Sequence, residues 1–105
     1  MVDKTRAKEI AQNYSKEVIK VLSPDKIILF GSYANGVPHT ESDIDIAVLV
    51  KDLHGKEWYN ARILLQKIIR KKDFFDIEPH LLDETQDPSG FAEHVIKTGE
   101  LIYSQ

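Results

Sequence analysis

Phe30-Gly31-Ser32-Tyr33-Ala34-Asn35-Gly36, followed ten residues after Ser32 by Ser42-Asp43-Ile44-Asp45-Ile46, is the stretch on which the fold of this chain turns. Before the Gly-Ser pair runs Ile27-Ile28-Leu29-Phe30, short, branched and bounded by breakers, which predicts a buried strand from Lys26 to Phe30. After it, Asp43 to Val50 predicts a second strand with carboxylates at alternate positions. Period two places Asp43 and Asp45 on one face and Ile44, Ile46 and Val48 on the other, the core face. Between the strands the sequence allows one helical turn from Tyr33, then a loop through Gly36 and Pro38.

Outward from this stretch, helices and a third strand follow from periodicity. Ala7, Ile10, Ala11, Tyr14, Val18, Val21 and Leu22 recur at helical spacing between about Thr5 and Leu22, an amphipathic helix that covers a sheet. Ser23-Pro24-Asp25 stops it, since proline disfavours helical geometry in the residue before it. A second helix spans about Lys56 to Lys71, with Trp58, Ala61, Leu65, Ile68 and Ile69 as its stripe, widened by Leu64. Its basic end, Lys67, Arg70, Lys71 and Lys72, suits the negative pole of the helix dipole, the alternative being an anion site. Phe74 to Leu82 reads as a third strand in which Phe75, Ile77 and Leu81 alternate with Asp76, Glu78 and His80. Pro79 lacks a backbone donor and assigns that strand to an edge or a break in pairing. Phe91 to Lys97 is a short helix closed by Gly99, and Glu100 to Tyr103 an optional last strand. The expected class is α/β (α+β), a small mixed sheet with helices on at least one face.

The chain has 105 residues, 42% hydrophobic and 30% charged, which suits one compact domain over 1–105. There is no cysteine, so thiolate metal sites and disulfides are excluded, in keeping with a reducing cytoplasm. No apolar segment approaches the roughly 20 residues of a membrane span, and the N-terminus lacks the apolar core of a signal peptide, so a soluble protein is expected. A formal charge of −3 disfavours a nucleic-acid partner held mainly through phosphate neutralisation.

The opening stretch carries chemistry in two halves. A glycine directly after a strand lets backbone N–H groups approach an anion, and Ser32 adds a hydroxyl. Two ionised carboxylates roughly 6.6 Å apart along a strand repel one another and need solvent or a cation between them, Mg2+ being the obvious candidate. Each half has a plain structural reading, a tight turn and a strand with one wet face. Together they favour a phosphate and metal site. The histidines at 39, 54, 80 and 94 show no close ligand spacing; His80, sharing a face with Asp76 and Glu78, is the one placed to line a pocket. Trp58 and Tyr59 are expected to pack in the core.

Gly31-Ser32, ten intervening residues and then Asp43-Ile44-Asp45 on an apolar strand resembles the signature of the DNA polymerase beta-like nucleotidyltransferases. The Gly-Ser-Tyr-Ala-Asn-Gly wording and the short length look like the minimal nucleotidyltransferases (MNT), the antitoxins of MNT/HEPN toxin-antitoxin pairs. The resemblance runs from Lys26 to about Leu82 and on towards Tyr103. It implies that Gly31 and Ser32 hold the triphosphate of ATP and that Asp43 and Asp45 hold divalent metal, two Mg2+ ions, completed by a third carboxylate. Glu78 is the preferred third carboxylate because its acid-Pro-His-Leu-Leu wording matches short members of the group; Asp76 is the alternative. It further implies transfer of a nucleoside monophosphate, AMP from ATP, to a hydroxyl on a HEPN-type helical partner. The alternatives are neutralisation of a toxin by contact alone, with a vestigial nucleotide site, and transfer to a small molecule. Many relatives carry arginine where this chain has Tyr33 or Asn35, so a cationic contact to phosphate from those positions is missing. The acceptor domain of larger relatives is missing too, and the acceptor is expected on another chain.

Overall fold

The computed structural model describes residues 3–36 and 43–105. Its elements are α1 (Lys4–Val21), β1 (Lys26–Phe30), α2 (Ser32–Asn35), β2 (Ile44–Val50), α3 (Lys56–Lys72), β3 (Ile77–Asp83), α4 (Phe91–Thr98) and β4 (Glu100–Ser104). The expected order holds, the optional terminal strand included. The loop expected through Pro38 and His39 lies outside the described residues.

The strands form one mixed sheet in the order β3-β2-β1-β4. β1 runs antiparallel to β2 and to β4, whereas β2 and β3 are parallel. A parallel pair needs a long crossover, and α3 supplies it. β3 is an edge strand, which is how Pro79 is tolerated inside it. The chain enters β3 later than its alternation suggests: Phe74 to Asp76 form a turn, Phe75 is 67% exposed, and the strand starts at Ile77. The Phe75 position in the expected pattern is therefore corrected, because no neighbouring strand pairs there to bury it.

The sheet is covered on both faces. On one, Ala7, Ala11, Tyr14 and Val18 of α1 and Leu65 and Ile69 of α3 pack on Ile27, Leu29, Ile44, Ile46 and Val48. Tyr14 is fully buried, its hydroxyl donates to the Leu65 carbonyl at 3.0 Å, and its ring meets the edge of Phe74 at 5.5 Å. On the other, Ala92 and Val95 of α4 pack on Ile28, Ala47 and Leu49. The face expected to be wet is thus core from Ala47 onward and open around Asp45, where α4 no longer covers it.

Two further expectations change. Val21 is 48% exposed, because it is the last residue of α1 and its side chain falls off the buried stripe. Tyr59 is 62% exposed on the outer face of α3, whereas Trp58 packs against the core as expected. Arg70, Lys71 and Lys72 occupy the last turn of α3, where they offset its dipole. The α4 N-terminus has a cap that the sequence did not declare: the Asp87 carboxylate accepts from the N–H groups of Ala92 at 2.9 Å and Glu93 at 3.0 Å. Among the described residues no helix is long and apolar enough to cross a membrane.

Candidate active site

The site is built where β1 ends and β2 and β3 begin. In the sheet register Asp45 stands opposite Phe30 on one side and opposite Glu78 on the other, and His80 stands opposite Ala47. Side chains of one face recur every second residue, so Phe30, Asp45, Glu78 and His80 all emerge on the α4 face. Asp45 and His80 are half-buried and Glu78 is exposed.

Ligand atoms of Asp45, Glu78 and His80 all lie within 4.8 Å of one another. The His80 Nε2 sits 3.3 Å from Asp45 Oδ1. That hydrogen bond to the Asp45 carboxylate raises the His80 imidazole above its ordinary range, against the opposing effect of burial. The ring is held from behind by Phe30, whose centroid is 5.0 Å away in an edge contact, and Phe30 in turn meets Phe91 at 5.8 Å.

Gly31 faces this group from the end of β1. Its backbone, at φ 76° and ψ −151°, lies in a region that side chains do not share. A Cβ there would stand 2.5 Å from Asp45 Oδ2. The glycine therefore makes room for the carboxylate, and the two halves of the opening motif touch. Ser32 follows as the first residue of α2, a single turn closed by the bond from the Gly36 N–H to the Ser32 carbonyl at 3.1 Å.

The remaining candidates fall as follows. Asp43 is exposed, one residue before β2, and is not a member of the 4.8 Å group. Asp76 is exposed in the turn before β3; its carbonyl accepts from the Ile44 N–H at 2.8 Å, and its carboxylate is outside the group as well. Of the two acids considered for the third position, Glu78 is the one that the register sets beside Asp45. Tyr33 is 3% exposed in the α1 face of the core, so its position points away from the carboxylates. His80, the histidine expected to share a face with Glu78, stands in the group as well. Its alternation with Glu78 was visible in the sequence, but its contact with Asp45 depends on which strand lies beside β3.

Two cavities of about 420 Å³ lie elsewhere. One, between α3 and the β3 edge, is lined by Tyr59, Arg62, Lys67, Arg70 and Pro79. The other is lined by Trp58, Leu82, Asp83 and Phe91 among others. Neither is lined by Asp45, Glu78 or His80. The donor set itself suits a divalent cation, since two carboxylates and an imidazole converge among the described residues.

Comparison with known proteins places the chain by family and fold. In the sequence, 47 residues (43% of this chain) are 43% identical to a protein of Methanocaldococcus jannaschii provisionally named protein adenylyltransferase MJ0141, and the match spans 48% of that relative. In structure, a provisionally named nucleotidyltransferase from Sulfolobus solfataricus superposes with a TM-score of 0.71 at 23% identity, over 97% of this chain and 84% of the other, a likeness of fold. The MNT antitoxin complex with tri-AMPylated Shewanella oneidensis HEPN toxin gives a TM-score of 0.58 at 26% identity, over 93% and 73%. A toxin-antitoxin complex with AMP-PNP gives 0.61 at 27% identity, over 90% and 73%. The family model for polymerase beta nucleotidyltransferases matches residues 7–105, from α1 through the Gly-Ser and D-x-D strands to β4, and the chain is a member of that nucleotidyltransferase family.

Proposed function

We propose that this nucleotidyltransferase moves AMP from ATP to a hydroxyl group on a HEPN-type partner protein, as an MNT antitoxin does. The observation that carries the reading is the meeting of Gly31 with Asp45, which joins a phosphate-approaching turn to a carboxylate pair at a single point. The neighbours described as AMPylated toxin with antitoxin, and as a toxin-antitoxin complex with AMP-PNP, support the choice of nucleotide and acceptor.

In this reading Gly31 and Ser32 orient the β and γ phosphates for in-line departure. Asp45 and Glu78 would hold divalent metal, joined by Asp43 only if it turns in from its exposed place before β2, and the metal would supply charge neutralisation of the phosphates. The acceptor hydroxyl oxygen forms a bond to the α-phosphorus while the bond from that phosphorus to the α,β-bridging oxygen breaks. Pyrophosphate leaves, and the hydroxyl proton passes to the exposed Glu78 carboxylate. Glu78 is exposed, which suits an acceptor that arrives on another protein.

The test is incubation of the chain with ATP labelled on the α-phosphate, Mg2+ and a HEPN partner, alongside Asp45→Asn. Label on the partner with the native chain and its loss in the variant is the expected result. No label with either protein, under conditions where the two chains bind each other, refutes transfer and leaves neutralisation by contact.

A further inference from the structure

We propose that His80 is itself a metal ligand, an imidazole nitrogen added to the Asp45 and Glu78 oxygens, and that the site consequently prefers a first-row transition ion such as Co2+ to Mg2+. The proposal rests on the reading of Asp45 and Glu78 as metal-holding residues.

Three features of the fold carry it. First, the parallel register of β2 and β3 sets Glu78 opposite Asp45, and the two-residue period brings His80 out on the same face. Second, Nε2, the outer ring nitrogen, is the atom turned to Asp45 Oδ1, at 3.3 Å. Adjacent ligands on an octahedral ion with bonds of roughly 2.1 Å stand about 3 Å apart, so this separation matches two donors of one ion. Third, the Phe30 edge fixes the ring in that direction, with Phe91 behind it. A hydrogen bond alone would make His80 a positioning residue for Asp45. The two roles differ in what they do to metal choice. A positioning residue steadies the carboxylate for every cation alike, whereas a nitrogen ligand favours transition ions, which bind imidazole well, over Mg2+, which prefers oxygen.

The experiment is calorimetric titration of the untagged chain with Co2+ and separately with Mg2+, in the presence of a non-hydrolysable ATP analogue. Native protein is compared with His80→Gln, His80→Glu and Asp45→Asn, each checked for folding by circular dichroism. In His80→Gln, Co2+ affinity is expected to fall by about tenfold or more while Mg2+ affinity stays within about twofold. His80→Glu restores a ligand as oxygen and shifts the preference towards Mg2+. The visible spectrum of the bound Co2+ loses its nitrogen contribution in both His80 variants. Equal losses for the two ions in His80→Gln, or an unchanged Co2+ spectrum, overturn the assignment. If Asp45→Asn also leaves both affinities intact, the metal-holding role of Asp45 falls with it, which separates failure of the site from failure of the histidine.

Discussion

Replacing Gly31 by alanine tests the join between the two halves of the motif. Two costs can be separated. The first is backbone: φ 76° with ψ −151° is a glycine region, and a side chain held there costs about 1–3 kcal/mol. The second is contact. The new Cβ stands 2.5 Å from Asp45 Oδ2, against an ordinary separation of 3.4 Å or more, so the carboxylate has to retreat by about 1 Å. Gly55 supplies the control, with φ 56° and ψ −120° and nothing within 4 Å of its added Cβ. Gly55→Ala therefore carries the strain without the displacement. At about 4–8 °C per kcal/mol for a domain of this size, both variants should melt roughly 5–20 °C lower in a calorimetric scan. Their activities should part: a misplacement of about 1 Å costs on the order of 100-fold, so labelled-AMP transfer collapses in Gly31→Ala and persists in Gly55→Ala. Equal transfer rates at a temperature where both are folded would refute the claim that Gly31 makes room for Asp45.

Three other substitutions follow from the packing. Gly99→Ala forces a Cβ against Ile28 and to 2.7 Å from the Val95 carbonyl oxygen, backbone that cannot swing aside, so urea denaturation should show a loss of about 1–3 kcal/mol or more. Tyr14→Phe removes the buried bond to the Leu65 carbonyl while keeping the ring against Phe74, and should cost about 1 kcal/mol with no change in nucleotide binding. Asp83 is held below the usual carboxylate range, first by the Thr85 hydroxyl and then by backbone N–H groups. A lowered carboxylate stabilises the fold above its unfolded value of about 3.9 and loses that contribution as pH falls through the folded value. Thr85→Val should therefore reduce stability at neutral pH and flatten the acid limb of the melting-temperature profile below about pH 4; a limb identical to that of the native chain would show that the hydroxyl does not hold Asp83.

How much of this was legible in the chain depends on the range of the interaction concerned. Helices, strands and their order are local, written in the spacing of apolar residues, and the register of a side chain on its own strand follows from period two. The two-sided burial of β2 was not legible, since Ala47 and Leu49 alternate with Ile46 and Val48 without saying that α4 will cover them. The start of β3 is hidden for the same reason: Phe75 continues the alternation, but the pairing with β2 begins at Ile77.

The sequence by itself determined the Gly-Ser turn, the carboxylates at Asp43 and Asp45, and the choice of Glu78 or Asp76 as a third acid, because these are residue types at fixed separations. The tertiary structure alone decided that Glu78 is the acid opposite Asp45, that His80 joins them, and that Gly31 stands where a side chain would strike the carboxylate. The physical reason is that Asp45 and Glu78 are far apart along the chain, and their neighbourhood is created by the parallel pairing of β2 with β3 through the α3 crossover, an arrangement fixed by burial of both sheet faces rather than by any local pattern.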